Sequence, residues 1–332
     1  MAQTVRSALK NADSPELLYF GIANTVIDDE DFLSDSIFSH PRLNYIDIKS
    51  KQALGTGKSR MMASILNHRN HEYLLQIDAH NIFEKGWDTT LKQNYKYLLS
   101  ICDKPVISAS PLRWIDGPNK EVFLYNSKGD LVDGKPKDSR YFGIKIDPLD
   151  FKTEENSSSL GIKVVTVIVP NSDTEMMDYA FIDGKDMHWE EGQDFVEHGL
   201  IHAAFMFTSF AFTREVMHDP SNPWDGDQIN ISFRAGTRGY RMFGIKKCVV
   251  WSKDKFYKDK VLSKNDWRYF TGKMQEFDIV KSKFDQSQIF SGEYLGYWGA
   301  PNKESIAQYY DKIGIDLSKN FKIDFEHFIF PE

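Results

Sequence analysis

An acid and an imidazole two residues apart, Asp78 and His80, close the apolar run Tyr73-Leu74-Leu75-Gln76-Ile77. A carboxylate and a histidine at that spacing suit a divalent cation that accepts both oxygen and nitrogen, such as manganese, better than they suit calcium. The run reads as a buried strand, so both side chains would stand at the carboxyl edge of a sheet, where open α/β sheets bind their ligands. A cation held there is what a nucleotide diphosphate needs for charge neutralisation. The bland alternative is an Asp that only turns the chain and a His that only hydrogen-bonds.

A second group of acids lies downstream, in Trp224-Asp225-Gly226-Asp227-Gln228. It opens a segment with Ile229, Ile231 and Phe233 on its apolar face, read as a helix from Asp225 to Gly239, with Asp225 or Asp227 as cap and Gly239 as stop. Carboxylates at an exposed helix start are well placed to hold sugar hydroxyls. Two other patterns fail on inspection. Gly55-Thr56-Gly57-Lys58-Ser59 has Gln52 where a phosphate loop needs its first glycine, although backbone amides at that helix start could still meet an anion. His198 and His202 stand four apart, but Gly199 replaces the glutamate of a zinc-protease helix, so these and His188 read as structural or surface histidines.

The elements that must position these groups alternate. Strand-like runs at 17–23, 43–48, 72–78 and 105–109 are interleaved with helix-like stretches at 58–67 and 87–100, and an acidic helix start is expected at 28–31. That order predicts an α/β chain with a parallel, Rossmann-like sheet. Residues 111–160 break the pattern with closely spaced turns at Gly117-Pro118, Lys128-Gly129-Asp130 and Asp133-Gly134-Lys135-Pro136, which predicts an inserted β-meander. Gly161–Val169 and Ala203–Phe212 are apolar enough for further central strands. The expected organisation is one catalytic domain over 1–265 and a C-terminal extension over 266–332 packed on it.

At 332 residues and 41% apolar content the chain can bury a substantial core. Mean hydropathy is −0.47 and no run approaches the roughly 20 apolar residues that span a bilayer, so no membrane partner is expected. The first ten residues lack the apolar centre of a signal peptide, and two cysteines are too few for a disulfide framework. A cytoplasmic location follows, the host's cytoplasm if the chain is viral. The net charge of −7 is uneven: ten Lys and Arg fall between Arg234 and Lys264 against two acids, Asp254 and Asp259. Such a stretch is either a solvated face or an electrostatic footprint for phosphates.

Leu74-Leu75-Gln76-Ile77-Asp78-Ala79-His80, followed by Gly86-Trp87-Asp88, resembles the donor-site motif of the GT-A N-acetylglucosaminyltransferases that modify cytosolic hydroxyproline, distant relatives of the polypeptide N-acetylgalactosaminyltransferases. The run from Asp219-Pro220 through Asp225-Gly226-Asp227-Gln228 to Arg234, Thr237, Gly239 and Tyr240 is similar to that family's second block, which usually has Gly-Glu-Glu where this chain has Gly226-Asp227-Gln228. The likeness covers about 55–90 and 200–252. It implies a GT-A fold, a mixed Rossmann-like sheet flanked by helices with the meander inserted.

It also implies a UDP-sugar donor whose diphosphate is bridged by Mn2+ or Mg2+ to Asp78 and His80. Arg60, Trp224 and Asp225 would join Asp78 in binding the donor. Asp227 and Gln228 would hold the transferred sugar or the acceptor hydroxyl. Relatives retain anomeric configuration, with the leaving phosphate accepting the acceptor's proton, so no protein nucleophile is required. Two departures stand out. The family's third metal ligand, a histidine after the Val249-Val250 strand, is missing from Trp251-Ser252-Lys253-Asp254, which leaves Asp254 or a water to complete the shell. Ala23-Asn24-Thr25 replaces the family's usual Ser-Tyr-Arg-Asp, so uracil contacts do not carry over. The relatives point to a protein hydroxyl as acceptor. The basic stretch tips the expectation towards a 5-hydroxymethylated base in DNA, which would have to leave its stack. A nucleotide- or sugar-binding module without catalysis is the alternative outside enzymes.

Overall fold

A computed structural model describes residues 1–26, 35–49, 56–66, 71–116, 122–124, 144–153, 161–169, 177–185, 189–220, 222, 226–253, 288 and 295–313. The expected acidic helix start at 28–31, the turns at 117–118, 128–130 and 133–136, and Trp224, Asp225 and Asp254 lie outside them.

The central sheet is built from β3 (Tyr73–Ile77), β5 (Pro105–Ser108), β11 (Phe195–His198), β12 (Phe205–Ser209) and β13 (Arg241–Ile245). Its order is β11-β13-β5-β12-β3. Strands bury alternate side chains on opposite faces, and neighbouring residues here separate cleanly. Ile107, Phe207 and Phe243 join one core with Trp87, Leu91, Tyr95 and Leu98, the four-residue stripe of helix α3 (Trp87–Leu98). Val106, Met206 and Met242 face the other way, against Phe212 of the short helix α4 (Phe212–Glu215) and Ile231 and Ala235 of helix α5 (Gly226–Gly236). The sheet thus lies between α3 and α5.

A second sheet runs β4-β14-β6-β7-β8, from β4 (Asn81–Phe83), β6 (Leu112–Asp116), β7 (Val122–Leu124), β8 (Ile144–Ile146) and β14 (Val250–Lys253). Within it β6, β7 and β8 are the expected antiparallel meander. The chain crosses from the first sheet to the second between β3 and β4, at Asp78-Ala79-His80. The strands β1 (Phe20–Val26) and β2 (Leu43–Lys49) pair in parallel with each other, and helix α2 (Thr56–Ile65) follows them.

The mixed α/β class expected from the sequence is observed, with three differences in detail. The strand β12 runs antiparallel to both neighbours, β3 and β5, so the central sheet is mixed, as the family resemblance implies, and not parallel, as the alternation of elements predicts. The apolar run 161–169 forms β9 (Gly161–Val169), which pairs in a hairpin with β10 (Met177–Lys185) outside the central sheet. The first strand begins at Phe20 and not at Leu17, because Pro15–Leu17 forms a 3-10 turn that leaves Leu17 65% exposed. An element the sequence did not announce is helix α1 (Ala2–Asn11).

Candidate functional site

The crossover that carries Asp78 and His80 is pinned by its backbone. Thr4 Oγ1 of α1 donates to the Ala79 carbonyl at 2.9 Å and accepts from the Asn81 amide at 3.1 Å. The His80 carbonyl accepts from the Lys253 amide at 3.0 Å and from Trp114 Nε1 at 3.2 Å. Each such bond contributes about 1 kcal/mol net. Together they fix the two side chains relative to each other across the sheet junction.

Asp78 Oδ2 lies 3.9 Å from His80 Nε2, and the two side chains are 32% and 30% exposed. A cation with ligand distances of about 2.1 Å can bridge donors up to about 4.2 Å apart, so this pair fits a divalent metal as two of its ligands. Among the described residues no group of three metal-capable side chains forms. A third protein ligand would come from elsewhere, and Asp254 follows Lys253 outside the described residues.

The other oxygen of Asp78 faces Arg60. Arg60 Nη2 approaches Asp78 Oδ1 at 3.4 Å, and Arg60 Nη1 makes a closer pair with Asp227 Oδ2. Three of the expected residues, from β3, α2 and α5, therefore meet at one point. Burial opposes the charge on Asp78, yet Arg60, His80 and His202 together hold its carboxyl below the usual range. His202, which the sequence alone marks as a structural or surface histidine, belongs to this neighbourhood. Antiparallel pairing of Phe205 with Ile77 carries the start of β12 back beside the end of β3, a placement that a parallel sheet would not give.

Gln228 is also brought in, through the backbone. Its Oε1 accepts from the Ala203 amide at 3.1 Å, and the Ala203 carbonyl accepts from Gln76 Nε2 at 3.0 Å. Gln76 is two residues before Asp78 on β3. The helix α2 is seated by contact rather than by side chains: the Gly57 amide donates to the Asn222 carbonyl at 3.3 Å, and a Cβ on Gly57 would lie 2.2 Å from the Asp219 carbonyl oxygen. The phosphate-loop likeness of 55–59 thus has a structural use in setting Arg60 one turn further on. A cavity of about 690 Å3 opens beside this cluster, lined by Thr25, Thr56, Ser59, Arg60 and Asp78 and by the apolar Leu17, Leu18, Phe20 and Trp87.

Of the other two histidines in the zinc-like pattern, one lies among the described residues. His198 Nε2 lies 3.0 Å from the Ser108 carbonyl, and burial pushes its pKa down to about 4. His188 lies outside the described residues.

A family model described as "Glycosyltransferase (GlcNAc)" matches residues 23–319. The chain belongs to the GlcNAc glycosyltransferase family. The match spans both half-motifs, from before Arg60 to beyond Asp227. Among solved structures, GalNAc-T7 with UDP, GalNAc and Mn2+ is 13% identical, matched over 95% of this chain and 54% of that one at a TM-score of 0.46. The chain spans 54% of the length of that relative. No curated protein matches. Among the described residues no helix of this glycosyltransferase-family chain is long and apolar enough to cross a membrane.

Proposed function

We propose that this chain transfers a sugar from a UDP-sugar to an acceptor hydroxyl, using Mn2+ or Mg2+, on a GT-A fold and with retention of configuration. The observation that carries the reading is the meeting of Asp78, His80, Arg60 and Asp227 at the junction of two sheets, in a chain of a glycosyltransferase family. Asp78 Oδ2 and His80 Nε2 would hold the cation, with Asp254 or water completing its shell. When bound, the cation supplies Lewis acidity towards the departing diphosphate. Arg60 donates to phosphate oxygens in the forked geometry that guanidinium favours. Asp227 accepts from a hydroxyl of the transferred sugar, and Gln228, its oxygen fixed by Ala203, presents its amide nitrogen. Trp224 and Asp225 keep their expected donor role. The acceptor's proton leaves with the phosphate, so no side chain is assigned as nucleophile.

Both acceptor classes retain a support. The family resemblance favours a protein hydroxyl. A hydroxymethylated DNA base is favoured by Lys255, Lys258, Lys260 and Lys264, which lie outside the described residues. The described part of the basic stretch supports DNA less. Arg234 is buried, Arg238 donates to the carbonyls of Gly296, Tyr297 and Gly299, Arg241 pairs with Glu197 and Lys247 with Glu84.

The test is UDP-sugar hydrolysis, and transfer to hydroxymethylated DNA or to hydroxyproline peptide, with and without Mn2+. Asp78→Ala is expected to abolish metal-dependent turnover while the protein remains folded. Turnover that survives Asp78→Ala and chelator would overturn the reading.

A further inference from the structure

The two carboxylates of the site are already bridged by one cation of the protein's own. Arg60 sits between Asp78 and Asp227 with only 18% of its side chain exposed, and Asp227 is 4% exposed. The guanidinium meets Asp78 on Oδ1 while Oδ2 turns to His80. A metal on Oδ2 and the guanidinium on Oδ1 therefore draw on the same negative charge, and the two cations repel.

We propose that Arg60 makes metal binding at Asp78 and His80 conditional on the arrival of a diphosphate. This rests on the donor-site reading above and adds its order of assembly. Before the donor arrives, Arg60 neutralises much of the charge that would attract a metal. A diphosphate offers the guanidinium a stronger, forked anionic partner. As Arg60 turns towards phosphate, Asp78 recovers its charge for the metal. Binding free energies are reciprocal, so the metal and the diphosphate strengthen each other by one common factor, within the 5–150-fold range of ordinary coupling.

Part of any such coupling would arise from direct contact between metal and phosphate, so the decisive measurement is metal alone. Free Mn2+ is followed by its electron paramagnetic resonance signal as it is titrated with protein, with and without UDP. Wild type is expected to take Mn2+ weakly alone and far more tightly with UDP. Arg60→Ala is expected to take Mn2+ alone about tenfold more tightly than wild type, and UDP alone more weakly. Arg60→Lys, a point charge that cannot fork to both acids, should fall between. Should Arg60→Ala unfold because Asp227 is left buried and unpaired, the double variant Arg60→Met with Asp227→Asn removes both charges. It should again exceed wild type for Mn2+ alone. Equal or weaker Mn2+ binding in the folded variants overturns the proposal. Wild type that binds Mn2+ as tightly without UDP as with it overturns the conditional step and leaves the donor site intact. Wild type that takes no Mn2+ even with UDP overturns both.

Discussion

His218 Nε2 stands 2.6 Å from Gln76 Oε1, and this one bond links the turn before α5 to the strand that ends in Asp78. An amide oxygen only accepts, so the imidazole donates from Nε2. Burial, with Arg60 and Arg234 nearby, pushes the His218 pKa well below its ordinary value. Gln76 in turn donates to the Ala203 carbonyl, whose residue also donates its amide to Gln228. The chain His218, Gln76, Ala203, Gln228 runs behind the site and ties β3 to α5 without touching the two carboxylates it spaces.

Replacing His218 should therefore separate packing from positioning. His218→Phe keeps a ring but removes the donor to the half-buried Gln76 Oε1, at a cost of about 1 kcal/mol in urea melts. It should also raise the Mn2+ concentration needed for half-maximal turnover. His218→Gln, with an amide donor of similar reach, should recover much of the metal response even if stability is not fully restored. A metal response that is no better in the Gln variant than in the Phe variant would reduce His218 to a packing residue.

Two buried neutral histidines also set a pH dependence. His198 has a folded pKa near 4 against an ordinary 6.5, and His218 is lowered too. In that window the unfolded chain binds protons that the folded chain refuses. Stability is thus complete above about pH 6.5 and falls as pH drops towards 4. Urea midpoints measured between pH 7.5 and 4.5 should decline, and His198→Gln should flatten the slope by up to one proton. A flat profile through this range would show that both rings take up protons in the folded chain as readily as in the unfolded one.

The basic stretch gives a prediction about what charge is for. Arg234 is fully buried on α5, donating to the Met217 carbonyl at 2.7 Å and to the Tyr297 carbonyl at 3.2 Å, with its guanidinium 5.1 Å from the Trp298 ring centroid. It fastens residues 297–298 to α5, beside the helix α6 (Lys303–Ile313), whose Ile306 and Tyr309 pack on Phe233. Arg234→Ala should destabilise the protein by about 1–3 kcal/mol, the cost of leaving a buried carbonyl without its donor. If the protein binds DNA, a stability-matched comparison at low temperature should show the same salt slope as wild type. A slope shallower by one phosphate contact would mean that Arg234 reaches nucleic acid.

Apolar runs and their spacing make the strand ending at Asp78 and the helices after Gly226 and from Trp87 legible as elements. They do not give the buried faces: every residue of β3 is only part-buried at the sheet edge, and Ile231 faces the central sheet while Ile229 and Phe233 pack with α6. The helix α1 is not readable, since the face it turns inward is mostly polar: beside Val5 and Ala8, the side chains of Thr4, Ser7 and Asn11 are buried to hydrogen-bond the backbone of 79–83. Periodicity counts such residues as solvent-facing. The run 161–169 failed in the opposite sense, because an apolar strand does not name its partner strand. Asp78 and His80 are legible from their spacing at a strand end, and Arg60, Asp227 and Gln228 only through the family resemblance, while His202, His218 and Gln76 need the antiparallel register of β12 to become neighbours.

Gly57 offers the sharpest test of how α2 delivers Arg60, because two effects of known size oppose each other. In an isolated helix Gly→Ala is favourable by about 1 kcal/mol. Here an added Cβ would stand 2.2 Å from the Asp219 carbonyl oxygen and 2.6 Å from that of Asn222, and both obstacles are backbone. Forcing backbone apart in a packed contact costs about 1–3 kcal/mol, so the net effect of Gly57→Ala should be destabilising. The helix must lift from the 219–222 turn, and Arg60, three residues on, should lose its grip on Asp227. UDP affinity should fall while α3 and the central sheet keep their hydrogen-exchange protection. A Gly57→Ala protein that is more stable than wild type and binds UDP equally well would mean that the close seating of α2 is not what aims Arg60.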